Sequence, residues 1–179
     1  MNKQFLTIFY TCLVVSALVV QTAYSRIVVP NTPYHTNKKS TIVDSASNRN
    51  EVVKIINKVI NASSAFDVDA VTDLNTPNAV VADEEPPFSW NGPTAGVQWI
   101  STVEKTCKDY KLKNFKAKIR DISVYLQTEE SIYVVVPVDY SGEIKGDRFD
   151  EEGAFSFIFR LVNGHWLIKS QVWVARKGM

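Results

Sequence analysis

Asp83 is the ionisable residue whose neighbours best suit chemistry. It ends the apolar run Ala79–Ala82 and precedes Pro86, Pro87, Phe88 and Trp90, so an apolar strand delivers a carboxylate to an aromatic loop where a pocket mouth can form. A carboxylate held partly out of water keeps its proton to higher pH and becomes useful for acid–base work. The competing reading of Asp83-Glu84-Glu85 is an acidic turn in solvent, which is what charge runs usually are.

The other reactive side chains offer less. Cys107 falls on the apolar stripe of a predicted helix, where burial raises a thiol's pKa and makes it a core filler rather than a nucleophile. His35 lies in a polar tail and His165 beside a turn, so both read as surface residues. There is no glycine-rich phosphate loop, no HExxH, no paired-cysteine motif and no nucleophile elbow. Two histidines and one cysteine outside the N-terminal apolar run, all in unrelated places, argue against a metal site, and nothing calls for a cofactor. Asn61-Ala62-Ser63 fits the glycosylation sequon, with meaning only in a eukaryotic secretory pathway.

Several elements must position Asp83. After Asn48-x-x-Glu51, which resembles a capping box, Val52, Ile55, Ile56, Val59 and Ile60 recur at helical spacing, predicting a helix from Asn48 to Ser64. Its apolar stripe must cover a sheet. A short helix is expected over Asp67–Leu74, ended by Pro77, and then a strand over Ala79–Asp83. Alternation puts Ala79, Val81 and Asp83 on one face of that strand. Thr94 is placed to cap a third helix carrying Val97, Trp99, Ile100, Val103, Cys107 and Tyr110 on one side.

The second half reads as strands. Phe115–Leu126 alternates with a slip near Arg120-Asp121 that predicts a bulge. In Ser131–Tyr140 the residues Ile132, Val134, Val136, Val138 and Tyr140 share a face, and Pro137 demands an edge or a bulge because it lacks a ladder donor. Gly142, Gly146 and Asp150-Glu151-Glu152 suggest a solvated connection. Asn163-Gly164 predicts a type I′ hairpin with Val162 opposite His165 and Leu161 opposite Trp166. Counting from it, Phe155, Phe157, Phe159, Leu161, Trp166, Ile168, Val172 and Val174 form a core face. Ile158, Arg160, Leu167, Lys169 and Trp173 lie on the other, a mixed face of the kind a protein partner covers. Homodimerisation through that face is the expectation.

The N-terminus predicts export. Lys3 precedes an uncharged run from Gln4 to Ser25 whose apolar centre ends in Ala23-Tyr24-Ser25, the pattern of a signal peptide cut after Ser25. That gives residues 1–25 as signal, 26–47 as a flexible leader and 48–179 as one domain, in a secreted or periplasmic protein. Loss of the signal removes one lysine and no acid, leaving equal numbers of each sign, so the mature chain has no broad attraction to nucleic acid or anionic lipid. No later run is long and apolar enough for stable membrane insertion. Cys107 is then the sole cysteine, and the fold must stand on its core without a disulfide.

The order helix, short helix, strand, helix and then long strands resembles the nuclear transport factor two-like superfamily, in its SnoaL-like, ketosteroid-isomerase-like branch. The resemblance runs from Asn48 to about Arg176. It rests on DVDAV at Asp67–Val71, on NAVVADEEPPFSWNGP at Asn78–Pro93 and on the terminal FSFIFRLVNGHWLIKSQVWV hairpin. It implies an α+β fold: a cone-shaped, curved antiparallel sheet wrapped over a long N-terminal helix around an apolar cavity, often dimeric through the outer sheet face. It also implies that a carboxylate closing the first strand acts as general base, a role that falls on Asp83, with Tyr140 as the inward-facing donor. The family's tyrosine on the first helix is missing here. Phe88, Trp90, Trp99, Val136, Phe157 and Trp166 are the expected pocket residues. Two functions follow: a secreted domain binding a small apolar molecule or a protein partner, or a small isomerase, cyclase or dehydratase using Asp83.

Overall fold

The computed structural model describes residues 45–176. The expected signal peptide and residues 26–44 of the expected leader lie outside them, as do residues 177–179.

Helix α1 spans Ala46–Ala65 and starts earlier than the sequence suggests. Its cap is Ser45, whose hydroxyl oxygen accepts the Asn48 N–H at 3.4 Å. Glu51 is therefore free for another job, and its carboxylate accepts the Trp166 N–H from the far end of the chain at 3.4 Å. The apolar stripe is as expected: Val52, Ile56, Val59 and Ile60 are buried and Ile55 packs against the same core. The expected second helix shrinks to one 3-10 turn, Asp69–Val71.

Strand β1 covers Asn75–Ala82, four residues longer at its start than expected because an irregularity between Asn75 and Val80 accommodates Pro77. The proline-aromatic loop carries an unexpected short strand, β2 (Ser89–Asn91), with Trp90 opposite Val81. Helix α2, Ala95–Asp109, follows. Thr94 precedes it without capping a backbone N–H, and its hydroxyl instead accepts a hydrogen bond from Gln98 at 2.8 Å.

The remaining strands are β3 (Lys113–Ile119), β4 (Val124–Gln127), β5 (Ser131–Ile144), β6 (Asp147–Val162) and β7 (His165–Ala175). They form one curved, unclosed seven-stranded sheet in the order β2-β1-β7-β6-β5-β3, with β4 also on β5. All pairs are antiparallel except β1 with β7. The slip at Arg120-Asp121 opens into a full break: Ile119 opposes Val138 and Val124 opposes Val135, so five steps on one side meet three on the other. Pro137 sits opposite this break. Its carbonyl accepts the Arg120 N–H at 3.0 Å, and since N–H and C=O of a strand residue point the same way, its missing donor falls where the ladder is already interrupted. Pro137 is thus in an interior strand, not an edge. Edge strand β3 carries exposed Lys113, Lys116 and Lys118, charges that discourage edge-to-edge pairing.

Two corrections concern the hairpins. Asp150-Glu151-Glu152 belongs to β6 rather than to a loop, because Lys145 (φ 55°) and Gly146 (φ 90°) make a two-residue turn of positive φ and the strands pair right up to it. The Asn163-Gly164 hairpin has its expected register, Val162 with His165 and Leu161 with Trp166. Farther on, however, Phe159 pairs with Ile168 while Ile158 pairs with Ser170, so Lys169 is an extra residue. This bulge exchanges the two faces of β7. Gln171, Trp173 and Ala175 turn into the core, and Val172 and Val174 turn away from it. Trp173, expected on a dimer face, is 7% exposed in the interior. Ile158 and Arg160 are exposed and Leu167 and Lys169 half-buried. Leu161, expected on the core face, is also exposed.

The core lies between α1, α2 and the concave face of the sheet. Trp99, Trp166, Phe155, Phe157 and Phe159 are its largest fully buried side chains, each contributing roughly 2–3 kcal/mol by leaving water.

A candidate ligand cavity

One end of the sheet is incompletely filled. A cavity of about 300 Å³ lies there between α2 and the strands, at the small end of the range for ligand pockets. Helix α2 supplies Trp99, Val103, Thr106, Cys107 and Tyr110, a spacing that keeps all five on one side of the helix. The sheet supplies Phe115 from β3, Tyr140 and Ile144 from β5, Phe149, Glu151 and Phe155 from β6 and Trp173 from β7, with Leu112 before β3. The loop after β1 closes the mouth with Asp83, Glu84 and Glu85.

Alternation carries Asp83 there. Ala79 and Val81 are buried, and Asp83, two residues on, shares their direction. The loop is fixed by the Asp83 N–H donating to the Phe88 carbonyl at 3.2 Å and the Phe88 N–H to the Glu85 carbonyl at 2.8 Å. The Trp99 indole N–H donates to Asp83 Oδ2 at 2.6 Å, and the Glu85 N–H reaches Oδ1 at 3.4 Å. Burial pushes the Asp83 pKa above its ordinary value, and the Trp99 hydrogen bond and the Glu84 and Glu85 N–H groups hold it back. Glu85 is also raised, by burial and then by repulsion from Asp83 and Glu84.

Tyr140 is the second polar group at depth. Its hydroxyl lies 2.8 Å from Ser63 Oγ, which donates its own proton to the Ile60 carbonyl at 2.7 Å. A serine has one hydroxyl proton, so Tyr140 must be the donor of the pair. Its proton is spent on α1. Burial foremost pushes its pKa up, the Ser63 bond opposes this, and Asp83, Glu151 and Cys107 add to the rise. The ring is fixed by stacking on Phe115 at 5.2 Å and by an edge contact with Trp173 at 5.3 Å. Cys107 is buried, with burial and Glu85 pushing its thiol up to about 11, so it is an inert part of the wall.

The structure brings Asp83, Tyr140 and Trp99 together around one cavity. Trp90, Val136, Phe157 and Trp166 are solid core instead, and Phe88 is 60% exposed at the loop tip. None of these five lines the cavity. Sequence reasoning missed Phe115, Phe149 and Trp173 as lining residues. The α2 face was legible as apolar but had no mark separating core from cavity wall, and Trp173 was hidden by the Lys169 bulge.

No family model matches the sequence, and no curated protein does. Solved structures do match the fold. A hexachlorocyclohexane dehydrochlorinase from Novosphingobium barchaimii superposes with a TM-score of 0.63 at 8% identity, over 73% of this chain and 87% of that one. A ketosteroid isomerase-like protein from Erwinia carotovora atroseptica gives 0.60 at 13% identity, over 74% and 98%. A protein with a cystatin-like fold from Nostoc punctiforme gives 0.60 at 7% identity, over 75% and 96%. These superpositions show that the chain shares the fold of these neighbours, an α+β cystatin-like fold.

Proposed function

We propose that this chain is an exported SnoaL-like domain whose cavity binds a small, largely apolar molecule, with Asp83 as its polar anchor. The observation that carries this reading is the aromatic-walled cavity of about 300 Å³ with one half-buried carboxylate at its mouth. Export rests on the N-terminal signal pattern, residues 1–25.

A second reading gives Asp83 chemistry. A carboxylate whose pKa is raised by burial, opening on an apolar cavity, is a competent base for removing a proton from carbon, as an isomerase, cyclase or dehydratase requires. Dehydrochlorinase and ketosteroid isomerase-like neighbours favour it. Against it, Tyr140 gives its proton to Ser63 and so is not poised to stabilise a developing oxyanion.

One probe examines both readings. Titration with 2-tetralone, a compact apolar ketone, should shift the indole N–H resonances of Trp99 and Trp173 while those of Trp90 and Trp166 stay still. Shifts in none of them, or equally in all four, would remove the binding site. In deuterated water, exchange at the carbon beside the ketone that falls on the order of 100-fold in Asp83→Asn would establish the second reading. Exchange no faster than in buffer would leave binding alone.

The partner we propose for the outer sheet face is a second copy of the chain. Val80, Ser170, Ile158, Tyr133 and Leu126 stand directly opposite one another across β1, β7, β6, β5 and β4. The four apolar members of this row are exposed, a pattern expected of a covered surface. Sedimentation should show a dimer at micromolar concentration that becomes monomeric in Tyr133→Glu/Ile158→Glu. A wild-type chain that sediments only as monomer refutes it.

A further inference from the structure

Resting on the cavity reading above, the chemistry of the lining goes one step further and names the class of ligand. Among the residues that line the cavity, the ionisable groups near its mouth are the carboxyls of Asp83, Glu84, Glu85 and Glu151, and none of the lining residues is Lys, Arg or His. Some carboxylates elsewhere on the molecule find cations: Asp109 pairs with Lys105, Asp139 with Arg120 and Asp150 with Arg148. No such pair forms at Asp83, Glu84 or Glu85 among the described residues.

Asp83 has the capacity to accept more. An ionised carboxylate offers about four lone-pair sites, and those of Asp83 are only partly engaged, by the Trp99 indole and by the Glu85 and Glu84 N–H groups. A ligand that bonds to Asp83 must therefore bring a donor, because an ionised carboxylate only accepts. Behind Asp83 the walls are rings: Trp99, Tyr110, Phe115, Phe149 and Trp173. The negative faces of such rings attract a cation, and more strongly where water is excluded. A positive charge at the mouth would also relieve the repulsion among Asp83, Glu84 and Glu85, which adds to burial in raising the pKa of Asp83 and of Glu85.

We infer that the cavity takes a small organic cation, an amine or quaternary ammonium on a compact apolar body, with its charge at Asp83 and its body against the Trp99 and Trp173 rings. An anionic ligand of the same shape is repelled by the mouth, and a neutral one forgoes both the ion pair and the cation–ring contact.

Three probes on one skeleton test this by calorimetry: 2-aminotetralin, a cation at neutral pH, 2-tetralol, its neutral counterpart, and tetralin-2-carboxylate. The amine should bind at least tenfold more tightly than the alcohol, and the carboxylate most weakly. Asp83→Asn should abolish the preference, so that the amine binds no more tightly than the alcohol does in the same variant. Equal affinity of amine and alcohol in the wild type overturns the inference while the cavity stands, and so does an amine preference that survives in Asp83→Asn. If none of the three binds and 2-tetralone shifts no indole, the cavity reading itself falls and takes this inference with it.

Discussion

Gly153→Ala should destabilise the protein by about 3 kcal/mol, the upper end of what one added methyl costs in a packed interior. An alanine inside a strand ordinarily does better than a glycine by about 0.5–1 kcal/mol, so the expected sign is reversed. The reason is steric. A Cβ on Gly153 would stand 2.5 Å from the Trp173 ring and 2.6 Å from the Val174 carbonyl oxygen. Gly153 is paired with Val138 on one side and Ala175 on the other, so its backbone cannot retreat. The Trp173 ring is held by Phe155 at 4.8 Å and Tyr140 at 5.3 Å, and its open side is the cavity. The added methyl should therefore drive the indole into the cavity and weaken 2-tetralone binding together with stability. Thermal unfolding of Gly153→Ala, Trp173→Leu and the double variant measures the coupling. A double variant no more stable than the sum of the singles would show that the two residues do not meet.

Trp166→Ala should cost about 3–5 kcal/mol, the usual range for emptying a large aromatic site in a core, with ligand binding unchanged wherever the variant is folded. Trp166 is 2% exposed, pairs with Leu161, and its backbone N–H is tied to Glu51 of α1. It is a packing residue remote from the cavity lining. Phe88→Ala is the natural control, because a 60% exposed ring at a loop tip should change stability by no more than about 0.5 kcal/mol. Denaturant unfolding with a 2-tetralone titration separates the cases. Lost binding with little loss of stability in Trp166→Ala would place Trp166 at the ligand.

The two tryptophans also show what the chain discloses before it folds. Trp166 is the second residue after the Asn163-Gly164 turn, and a two-residue turn allows one register, so its direction could be counted off. Trp173 is seven residues farther along the same strand, beyond Lys169, and one extra residue reverses every later direction. Nothing about a lysine in a strand marks it as a bulge. The same limit applies at β1: alternation from Val81 carries Asp83 inward, but which aromatic residues surround it depends on β3, β5, β6 and β7, brought there by pairings between distant parts of the chain. Phe88 and Trp90 looked like neighbours of Asp83 because they are close in sequence. The short β2 strand instead turns Trp90 into the core opposite Val81 and leaves Phe88 outside. The acidic run at Asp150 misled for another reason, since a strand whose outward positions face water tolerates charge as readily as a loop does.

The single parallel pair, β1 with β7, sets the order in which the molecule can be completed. β1 is an early element and β7 the last strand of the sheet, so β1 has no long partner until β7 has been made. Joining β1 to β7 is therefore the closing stitch of the sheet, a pairing between distant segments of the kind that forms slowly.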